Sequence, residues 1–348
     1  MRAVIRFAHL SDWHATTLVG AGRAAFRGKR LSGYASWAWS RRHHHDPAIL
    51  EAALRDVRAQ AVDRVLVTGD LTHISLPAEF DVARGQLERL GTPEQVFLIP
   101  GNHDCYVPVA PEQGWDRWAG YLRGLEPRAL EGALASATAS GTGRASGRAV
   151  GAATASEQVA ALHSALTAPP GVGRAPRHED YPTLRLHGRA ALIGLCSSIP
   201  TPIFRAGGLL GPVQLARLRS LLVGLGARGF FRILMIHHPV HPHGEPARRA
   251  LWDGQALRDL LAEVGAELVL HGHKHRRRVH LLDGPGRAIP AIGVPSSSEV
   301  GSRPDRPAQY HVFTVREADD ADGFALEAQV RGYDAAAGGF LALPDRLL

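Results

Sequence analysis

The stretch VFLIPGNHD, residues Val96–Asp104, joins an apolar strand to a turn that carries an amide, an imidazole and a carboxylate. A buried strand that ends in such residues places them at the edge of a sheet, where functional side chains commonly lie. Four other apolar runs in the chain also end in polar residues. This repeated pattern predicts that the ends of several strands meet at one site.

The candidate metal ligands all follow predicted apolar strands. Asp12 and His14 are two residues apart, so an extended chain turns both side chains to the same side. Histidine, aspartate and asparagine together suit borderline divalent ions such as iron, manganese and zinc. The polar residues at the strand ends are, in chain order, Asp12, His14, Asp70, Asn102, His103, His237, His273 and His275. This set would hold two ions if one carboxylate bridged them.

Hydrophobic spacing predicts the elements that carry these residues. Strands are predicted at Ala3–Leu10, Arg64–Thr68, Val96–Ile99, Thr183–His187, Ala190–Cys196, Phe231–Ile236, Leu268–Leu270, Ile289–Val294, Tyr310–Val315 and Phe324–Val330. Helices are predicted at Pro47–Ala61, Ala78–Leu90, Trp115–Leu125, Gly211–Leu225 and Ala256–Val264. The alternation of strands and helices predicts an α/β layered fold with polar residues at the carboxyl edge of the sheet.

Composition limits the class of protein. The 348-residue chain is 45% hydrophobic and has two cysteines, Cys105 and Cys196. Two cysteines are too few for a disulfide framework, so we expect a reducing compartment. The N-terminal strand lacks the long apolar run of a signal peptide, and no run approaches the roughly 18 to 20 apolar residues that span a bilayer. We therefore expect a cytoplasmic protein in which residues 1–348 form a single domain with two insertions.

The first insertion, residues 15–45, is basic and aromatic. It contains six basic residues, no acidic ones and the aromatic residues Phe26, Tyr34, Trp37 and Trp39, in a chain of net charge +7 and pI near 10.0. This composition suits peripheral contact with an anionic membrane, here the inner face, and it also suits a solvated flap over an active site. The run His43–His45 is interpreted as an exposed loop.

The second insertion, residues 126–178, is rich in alanine, glycine and serine. Such a composition buries little surface, so the segment is interpreted as a long, partly mobile insertion. One helix, Ser156–Leu166, is predicted within it.

The ordered motifs Asp-x-His, Gly-Asp, Gly-Asn-His-Asp, His and Gly-His-x-His, over Ile5–His275, resemble the calcineurin-like metallophosphoesterase superfamily. The resemblance implies a four-layer α/β/β/α sandwich of two mixed sheets, the metallo-dependent phosphatase fold. The implied ligands are Asp12, His14 and His275 on one ion and Asn102, His237 and His273 on the other, with Asp70 bridging them. In the same way, His103 would contact the substrate phosphate or protonate the leaving group, and Asp104 would orient it.

The chemistry of such a site accounts for these residue types. Two ions roughly 3.5 to 4 Å apart can turn a bridging water into hydroxide at neutral pH and neutralise phosphoryl charge. Neutral Asn102 keeps the site from becoming too anionic for a phosphate, and His103 can supply a proton to the departing oxygen. His73 and His238 lie close enough in sequence to support the ligands. The sequence therefore predicts a metal-dependent phosphoesterase, similar in the order of its motifs to the cyclic-nucleotide and glycerophosphodiester phosphodiesterase branch.

Three alternatives stay open. The insertion after His14 departs from compact members of that branch and could cover a lipid-linked substrate, as in the related enzymes that cleave UDP-diacylglucosamine in lipid A synthesis. The same metal core serves nucleases. However, the basic residues cluster in one segment and no extended basic and aromatic groove follows, so nucleic acid is not the expected partner. A metal-binding scaffold without turnover should lack a ligand or His103, and none is missing.

Overall fold

The computed structural model describes residues 3–19, 21–22, 25–125, 173–241, 245–301, 306–318 and 323–348. Within these residues the chain forms twelve strands in two sheets. The strands are β1 (Ala3–Leu10), β2 (Arg64–Val67), β3 (Val96–Leu98), β4 (Thr183–His187), β5 (Ala190–Gly194), β6 (Phe231–Met235), β7 (Leu268–His271), β8 (Arg278–Leu282), β9 (Ile289–Gly293), β10 (Gln309–Glu317), β11 (Phe324–Asp334) and β12 (Gly339–Arg346).

Each sheet has six strands and mixes parallel with antiparallel pairs. The order in the first sheet is β12-β11-β10-β1-β2-β3, with β1, β2 and β3 parallel and β10, β11 and β12 antiparallel to their neighbours. The order in the second sheet is β4-β5-β6-β7-β9-β8, in which β5, β6, β7 and β9 are parallel and the two edge strands are antiparallel.

The described residues form six α-helices, and all except the first cover the outer faces of the two sheets. They are α1 (Lys29–Ser36), α2 (Pro47–Ala59), α3 (Pro77–Leu90), α4 (Ala119–Leu122), α5 (Pro212–Gly226) and α6 (Gly254–Val264). Helix α2 begins where the sequence predicts, because the Asp46 side chain accepts a hydrogen bond from the Ala48 N–H at 2.8 Å and Pro47 occupies the first turn.

Three apolar layers hold the sheets and helices together. Phe7 of β1 and Ile233 of β6 belong to one cluster between the two sheets. Leu50 of α2 packs in a second cluster outside the first sheet, and Leu222 of α5 packs in a third cluster outside the second sheet. This arrangement confirms the predicted α/β/β/α sandwich of two mixed sheets, because each sheet buries one face against the other and one against helices.

Several predicted elements differ in detail. The predicted helix Trp115–Leu125 is a short 3₁₀ turn, Trp115–Trp118, followed by the single turn of α4, and its backbone becomes extended at Arg123. The strands β8 and β12 were not predicted. The predicted helix Ser156–Leu166 lies outside the described residues.

The first insertion is folded against the body of the protein. Helix α1 continues into a π-helical turn, Trp37–Arg41, and Leu18 and Trp37 pack against Ile74 and Leu76. Among the described residues, no helix combines the length and apolar character that crossing a bilayer requires.

Candidate metal centre

Strands β1, β2 and β3 of the first sheet and β6 and β7 of the second end at one edge of the sandwich. The register pairs Leu10 with Val67 and Val67 with Leu98, so the turns after these three strands start side by side. The edge at the carboxyl ends of parallel strands is where α/β folds commonly place their sites. The predicted ligands found together at this edge are Asp12, His14, Asp70, Asn102, His237, His273 and His275.

The turns that carry these ligands are strained. Left-handed backbone angles, with φ from 40° to 71°, occur at Asp12, His14, Asp70, His273 and His275. Residues other than glycine rarely adopt this conformation, which costs about 1–3 kcal/mol at each position and is concentrated at functional sites. The strain indicates that the surrounding structure fixes the direction of each ligand.

One group of candidate ligands comes from the ends of β1 and β7. The ligand atoms of Asp12, His14 and His275 all lie within 4.8 Å of one another. His275 Nε2 is 3.5 Å from Asp12 Oδ1. A carboxylate and two imidazoles at these separations can bind one divalent ion.

A second group comes from the ends of β2, β6 and β7, and a turn after β3 completes it. The ligand atoms of Asp70, His237 and His273 lie within 4.8 Å of one another. Asn102 Oδ1 is 3.0 Å from His237 Nε2 and 2.8 Å from His273 Nδ1. One carboxylate, one amide oxygen and two imidazoles therefore surround a second candidate ion position.

Asp70 connects the two groups through a single oxygen. Its Oδ2 lies 3.6 Å from His14 Nε2 in the first group and 3.3 Å from His237 Nε2 in the second. The side chain is buried. This is the position that a carboxylate shared by two ions would occupy.

For His14 and His237, a hydrogen bond on the far side of the imidazole determines which nitrogen faces the centre. His14 Nδ1 bonds to the carbonyl of Thr72, and His237 Nδ1 bonds to the carbonyl of Thr68, each at 2.7 Å. A carbonyl can only accept, so each Nδ1 donates, which leaves Nε2 as the nitrogen that can offer a lone pair to a metal ion. The His275 Nδ1 lies 3.3 Å from the buried carboxylate of Glu299, a common partner of ligating histidines.

Two glycines allow the strand ends to approach this closely. A Cβ atom at Gly101 would overlap the backbone and carboxylate of Asp70, and a Cβ atom at Gly272 would overlap Ser11 and the carboxylate of Asp12. The Gly-Asn-His-Asp and Gly-His-x-His motifs thus require glycine because each passes directly against an aspartate of the centre.

Burial and neighbouring charges shift the pKa values of the candidate ligands in different directions. Burial lowers the pKa of His14 and of His273 well below the usual value, so both imidazoles are neutral. Burial opposes the charged form of Asp70, but His237 and His103 outweigh it and lower the pKa of that carboxyl. Burial also lowers the pKa of His237, yet Asp70 and Asp12 outweigh this effect and raise it to about 9. Neutral His14 and His273 beside an ionised Asp70 have the protonation states that metal binding requires, whereas His237 would have to release a proton when an ion binds.

Asp104 holds the backbone of the centre together. Its Oδ2 accepts hydrogen bonds from the N–H groups of Asp70 and Gly101 at 2.8 and 2.9 Å, and its Oδ1 accepts from Leu71 and Thr72 at 2.9 and 3.0 Å. The prediction that Asp104 orients the His103 ring is wrong, because both carboxylate oxygens face backbone N–H groups.

His103 is instead oriented by a carbonyl. Its Nδ1 donates to the carbonyl of His73 at 2.5 Å, and its ring stacks on Tyr106 with centroids 5.6 Å apart. Nε2 is then the ring nitrogen that can face a substrate. His103 lines the same cavity as Asp70 and Asn102.

The first insertion supplies part of that cavity, whose volume is about 500 Å³. Lys29, His44 and His45 line it, so the insertion forms part of the cavity wall beside the candidate metal centre. The interpretation of His43–His45 as an exposed loop is wrong for His44, which lines the cavity, and for His45. The His45 ring lies 5.0 Å from that of His14, and its Nδ1 hydrogen bonds with Ser298 Oγ at 2.9 Å.

Sequence reasoning missed His45 and Glu299, because no motif connects either residue to the strand ends. His73 and His238 lie beside two of the candidate ligands. The His73 ring stacks on His14 at 5.5 Å, and the His238 ring lies 4.5 Å from that of His273.

The fold and the geometry define an α/β protein with two candidate divalent-ion positions that share one carboxylate. Residues 5–136 match the family model for calcineurin-like phosphoesterases. The match includes the turns after β1, β2 and β3 and ends before His237, His273 and His275. The match covers less than half of the chain, and over these residues the chain is similar to that family. No curated protein matches this chain significantly.

Similar solved structures include a dimetal phosphatase from Danio rerio, with 13% identity, a TM-score of 0.46, and coverage of 98% of this chain and 99% of that one. Purple acid phosphatase PPD1 from yellow lupin has 12% identity and a TM-score of 0.46, over 97% of this chain and 52% of that one. The NAD nucleotidase NadN of Haemophilus influenzae has 11% identity and a TM-score of 0.44, over 98% and 54%. The chain spans about half the length of the last two proteins.

Proposed function

We propose that this protein is a dinuclear metal-dependent phosphoesterase that hydrolyses a phosphodiester or related phosphoester. The observation that carries the proposal is the position of Asp70 Oδ2, within 3.6 Å of a ligand nitrogen from each of the two groups. Asp70 would be the ligand shared by two iron, manganese or zinc ions. Asp12, His14 and His275 would hold one ion, and Asn102, His237 and His273 would hold the other.

Two bound ions would supply Lewis acidity that makes water a nucleophile at neutral pH and neutralises phosphoryl charge. The protein's own residues then have separate tasks. Asp12 and Asp70 bring negative charge that attracts the ions, and neutral Asn102 adds an oxygen without adding repulsion toward a phosphate. The hydrogen bonds of His14 and His237 to main-chain carbonyls keep Nε2 pointed inward.

His103 is the proposed catalytic residue. Because its Nδ1–H donates a hydrogen bond to the His73 carbonyl, a second proton on Nε2 would make the ring an imidazolium that can donate to the departing oxygen. The alternative role is a hydrogen bond to a phosphoryl oxygen. The two roles differ in how strongly the rate should depend on the leaving group.

The test compares esters with good and poor leaving groups. Purified protein loaded with manganese, iron or zinc is assayed on bis-p-nitrophenyl phosphate and on a methyl phosphodiester. We expect His103→Ala to lower kcat on the methyl ester by roughly 10²–10⁴-fold and on the p-nitrophenyl ester far less, because p-nitrophenolate leaves without protonation. Equal losses on both esters would assign His103 to the phosphoryl oxygen.

Metal content separates catalysis from binding. We expect the wild-type protein and His103→Ala to hold about two ions per chain, and Asp70→Ala to lose both. One ion per chain in fully loaded wild-type protein, or wild-type metal content in Asp70→Ala, would contradict the dinuclear proposal.

A lipid-linked pyrophosphate is a second candidate substrate, because the first insertion exposes apolar side chains. Val19 is 77% exposed, Leu31 56% and Trp39 94%. Exposed apolar side chains among arginines suit insertion at a lipid headgroup layer. Wild-type protein should then sediment with anionic liposomes, and the double variant Leu31→Ser, Trp39→Ser should not. Equal sedimentation of both proteins would remove this candidate.

A further inference from the structure

Beyond the candidate ligands, the cavity at the metal centre has a strongly basic lining. The cationic side chains that line it are Lys29, Arg205, Arg249, Lys274 and Arg306. The carboxylates in the lining are Asp70 and Glu299, and both already contact histidines of the centre. A cavity of about 500 Å³ is also much larger than a single phosphate group needs.

Lys274 and Lys29 each have partners within the protein. Lys274 forms an ion pair with Glu245. The Lys29 ammonium donates to Thr201 Oγ1 at 2.8 Å and to the carbonyl of Arg205 at 3.3 Å. Lys29 therefore fastens the first insertion to the loop that carries Arg205.

Arg205 and Arg249 differ from these two lysines. Both are exposed, and within the described residues neither guanidinium has a hydrogen-bond or ion-pair partner. Their charges are thus not neutralised by the described part of the protein. A guanidinium presents a planar set of donors that matches phosphate oxygens.

The backbone holds these two arginines on adjacent segments. The Ala206 N–H donates to the carbonyl of Arg248 at 2.8 Å, and the Gly208 N–H donates to the carbonyl of Ala250 at 3.0 Å. Ala206 follows Arg205 directly, and Arg248 and Ala250 lie on either side of Arg249. Arg205 and Arg249 therefore project from two hydrogen-bonded stretches of chain that border the same cavity.

The same loop is tied to the candidate metal centre. The carbonyl of Ala206 hydrogen bonds with His238 Nε2 at 3.1 Å, and the His238 ring lies 4.5 Å from His273. Phe204, just before Arg205, has a left-handed backbone with φ of 64° and is 84% exposed. The loop thus keeps a strained conformation at the edge of the cavity and has a fixed position relative to a proposed ligand.

We propose that Arg205 and Arg249 form a second anion subsite, and that the substrate is a phosphoester carrying a second phosphate group away from the scissile one. The proposal rests on the phosphoesterase function proposed above. One phosphate occupies the metal centre and the other meets the two guanidinium groups. Simple mononucleotide or alkyl phosphodiesters lack this second contact.

A matched pair of chromogenic esters tests the subsite. Thymidine 5′-(p-nitrophenyl phosphate) and its 3′-phosphorylated form release the same leaving group and differ only in one phosphate. We expect the wild-type protein to prefer the 3′-phosphorylated ester in kcat/KM by roughly 25-fold, from about fivefold for each exposed charge contact. Arg205→Gln and Arg249→Gln should each reduce this ratio about fivefold, and the double variant should bring it near one.

Arg248→Gln is the matched control, because Arg248 lies beside Arg249 in sequence and its side chain does not line the cavity. It should keep the wild-type ratio. Binding of thymidine 3′,5′-bisphosphate and thymidine 5′-phosphate, measured by calorimetry, gives a readout that does not need turnover. If the protein hydrolyses neither ester, the phosphoesterase function is contradicted. If it still binds the bisphosphate more tightly, and this preference depends on the two arginines, the subsite is supported. Equal turnover and equal binding of both compounds would overturn the subsite alone.

Discussion

Replacing Asp104 with asparagine tests how the centre is held together. Asp104 is buried, and its two oxygens accept four backbone N–H groups from the turns after β2 and β3. Asparagine keeps one acceptor oxygen and turns the other into an N–H₂ donor. In either orientation of the amide, two buried N–H groups lose their acceptor, at about 1–3 kcal/mol each. We therefore expect Asp104→Asn to lower the free energy of unfolding by about 2–6 kcal/mol.

The assay is urea-induced unfolding of metal-free protein, followed by a metal titration of the folded variant. The displaced turns carry Asp70 and Asn102, so we also expect metal affinity to fall roughly 10- to 100-fold. The two measurements separate a general loss of stability from damage to the centre.

Asp253→Asn is the control, because this carboxylate also accepts backbone N–H groups, from Leu210 and Gly211, away from the candidate ligands. It should lower stability without changing metal affinity. If Asp104→Asn loses less than about 1 kcal/mol and binds metal as the wild type does, the role assigned to the Asp104 hydrogen bonds is refuted.

Three further outcomes are expected. Burial lowers the pKa of His311 from 6.5 to about 3, so below pH 6.5 the unfolded chain takes up a proton that the native chain does not. The free energy of unfolding should therefore fall by about 1.4 kcal/mol for each unit by which the pH decreases, as the contribution of this group. His311→Phe should remove this contribution from urea unfolding measured between pH 6.5 and 4. Gly101→Ala should abolish binding of both metal ions, measured as metal content per chain, because the added Cβ would overlap Asp70. His45→Ala should lower metal affinity or kcat/KM roughly tenfold, since its ring contacts His14 and bonds to Ser298, and unchanged values would remove it from the centre.

The strand ends were predictable because their signal is local. An apolar strand followed by Asp, His or Asn can be recognised within about ten residues, and parallel strands bring their carboxyl ends to one edge without further information. The glycines of the motifs carry a further local signal, since Gly101 and Gly272 are the positions where a side chain would overlap an aspartate.

The role of Asp104 was not predictable because it depends on partners distant in sequence. Its oxygens bond to the backbone of residues 70–72, more than thirty positions earlier. Any residue close in sequence, such as His103, looks like the nearer partner. Only the packing of the two turns determines whether the carboxylate accepts from the His103 ring or from the backbone of residues 70–72.

His45 was missed for a related reason. The path from His14 to His45 is set by Leu18 and Trp37 packing on Ile74 and Leu76, which lie in a different part of the sequence. The apolar spacing of the insertion has no regular helical period that would indicate this contact. A histidine in such a segment therefore cannot be assigned to the centre before its packing is known.

The backbone strain explains why hydrogen bonds are concentrated around the ligands. Five left-handed residues at about 1–3 kcal/mol each would favour relaxation of the turns if nothing opposed it. Asp104 holds the turns after β2 and β3 in place through its backbone hydrogen bonds. The Asp12 carboxylate holds the turn after β7 by accepting a hydrogen bond from the His273 N–H at 2.9 Å. Asp12 is thus both a candidate oxygen ligand and a support for a strained turn, whereas Asp104 has only the second role. This double use is why a carboxylate in such a motif cannot be assigned as a ligand or as a support from its position in the sequence alone.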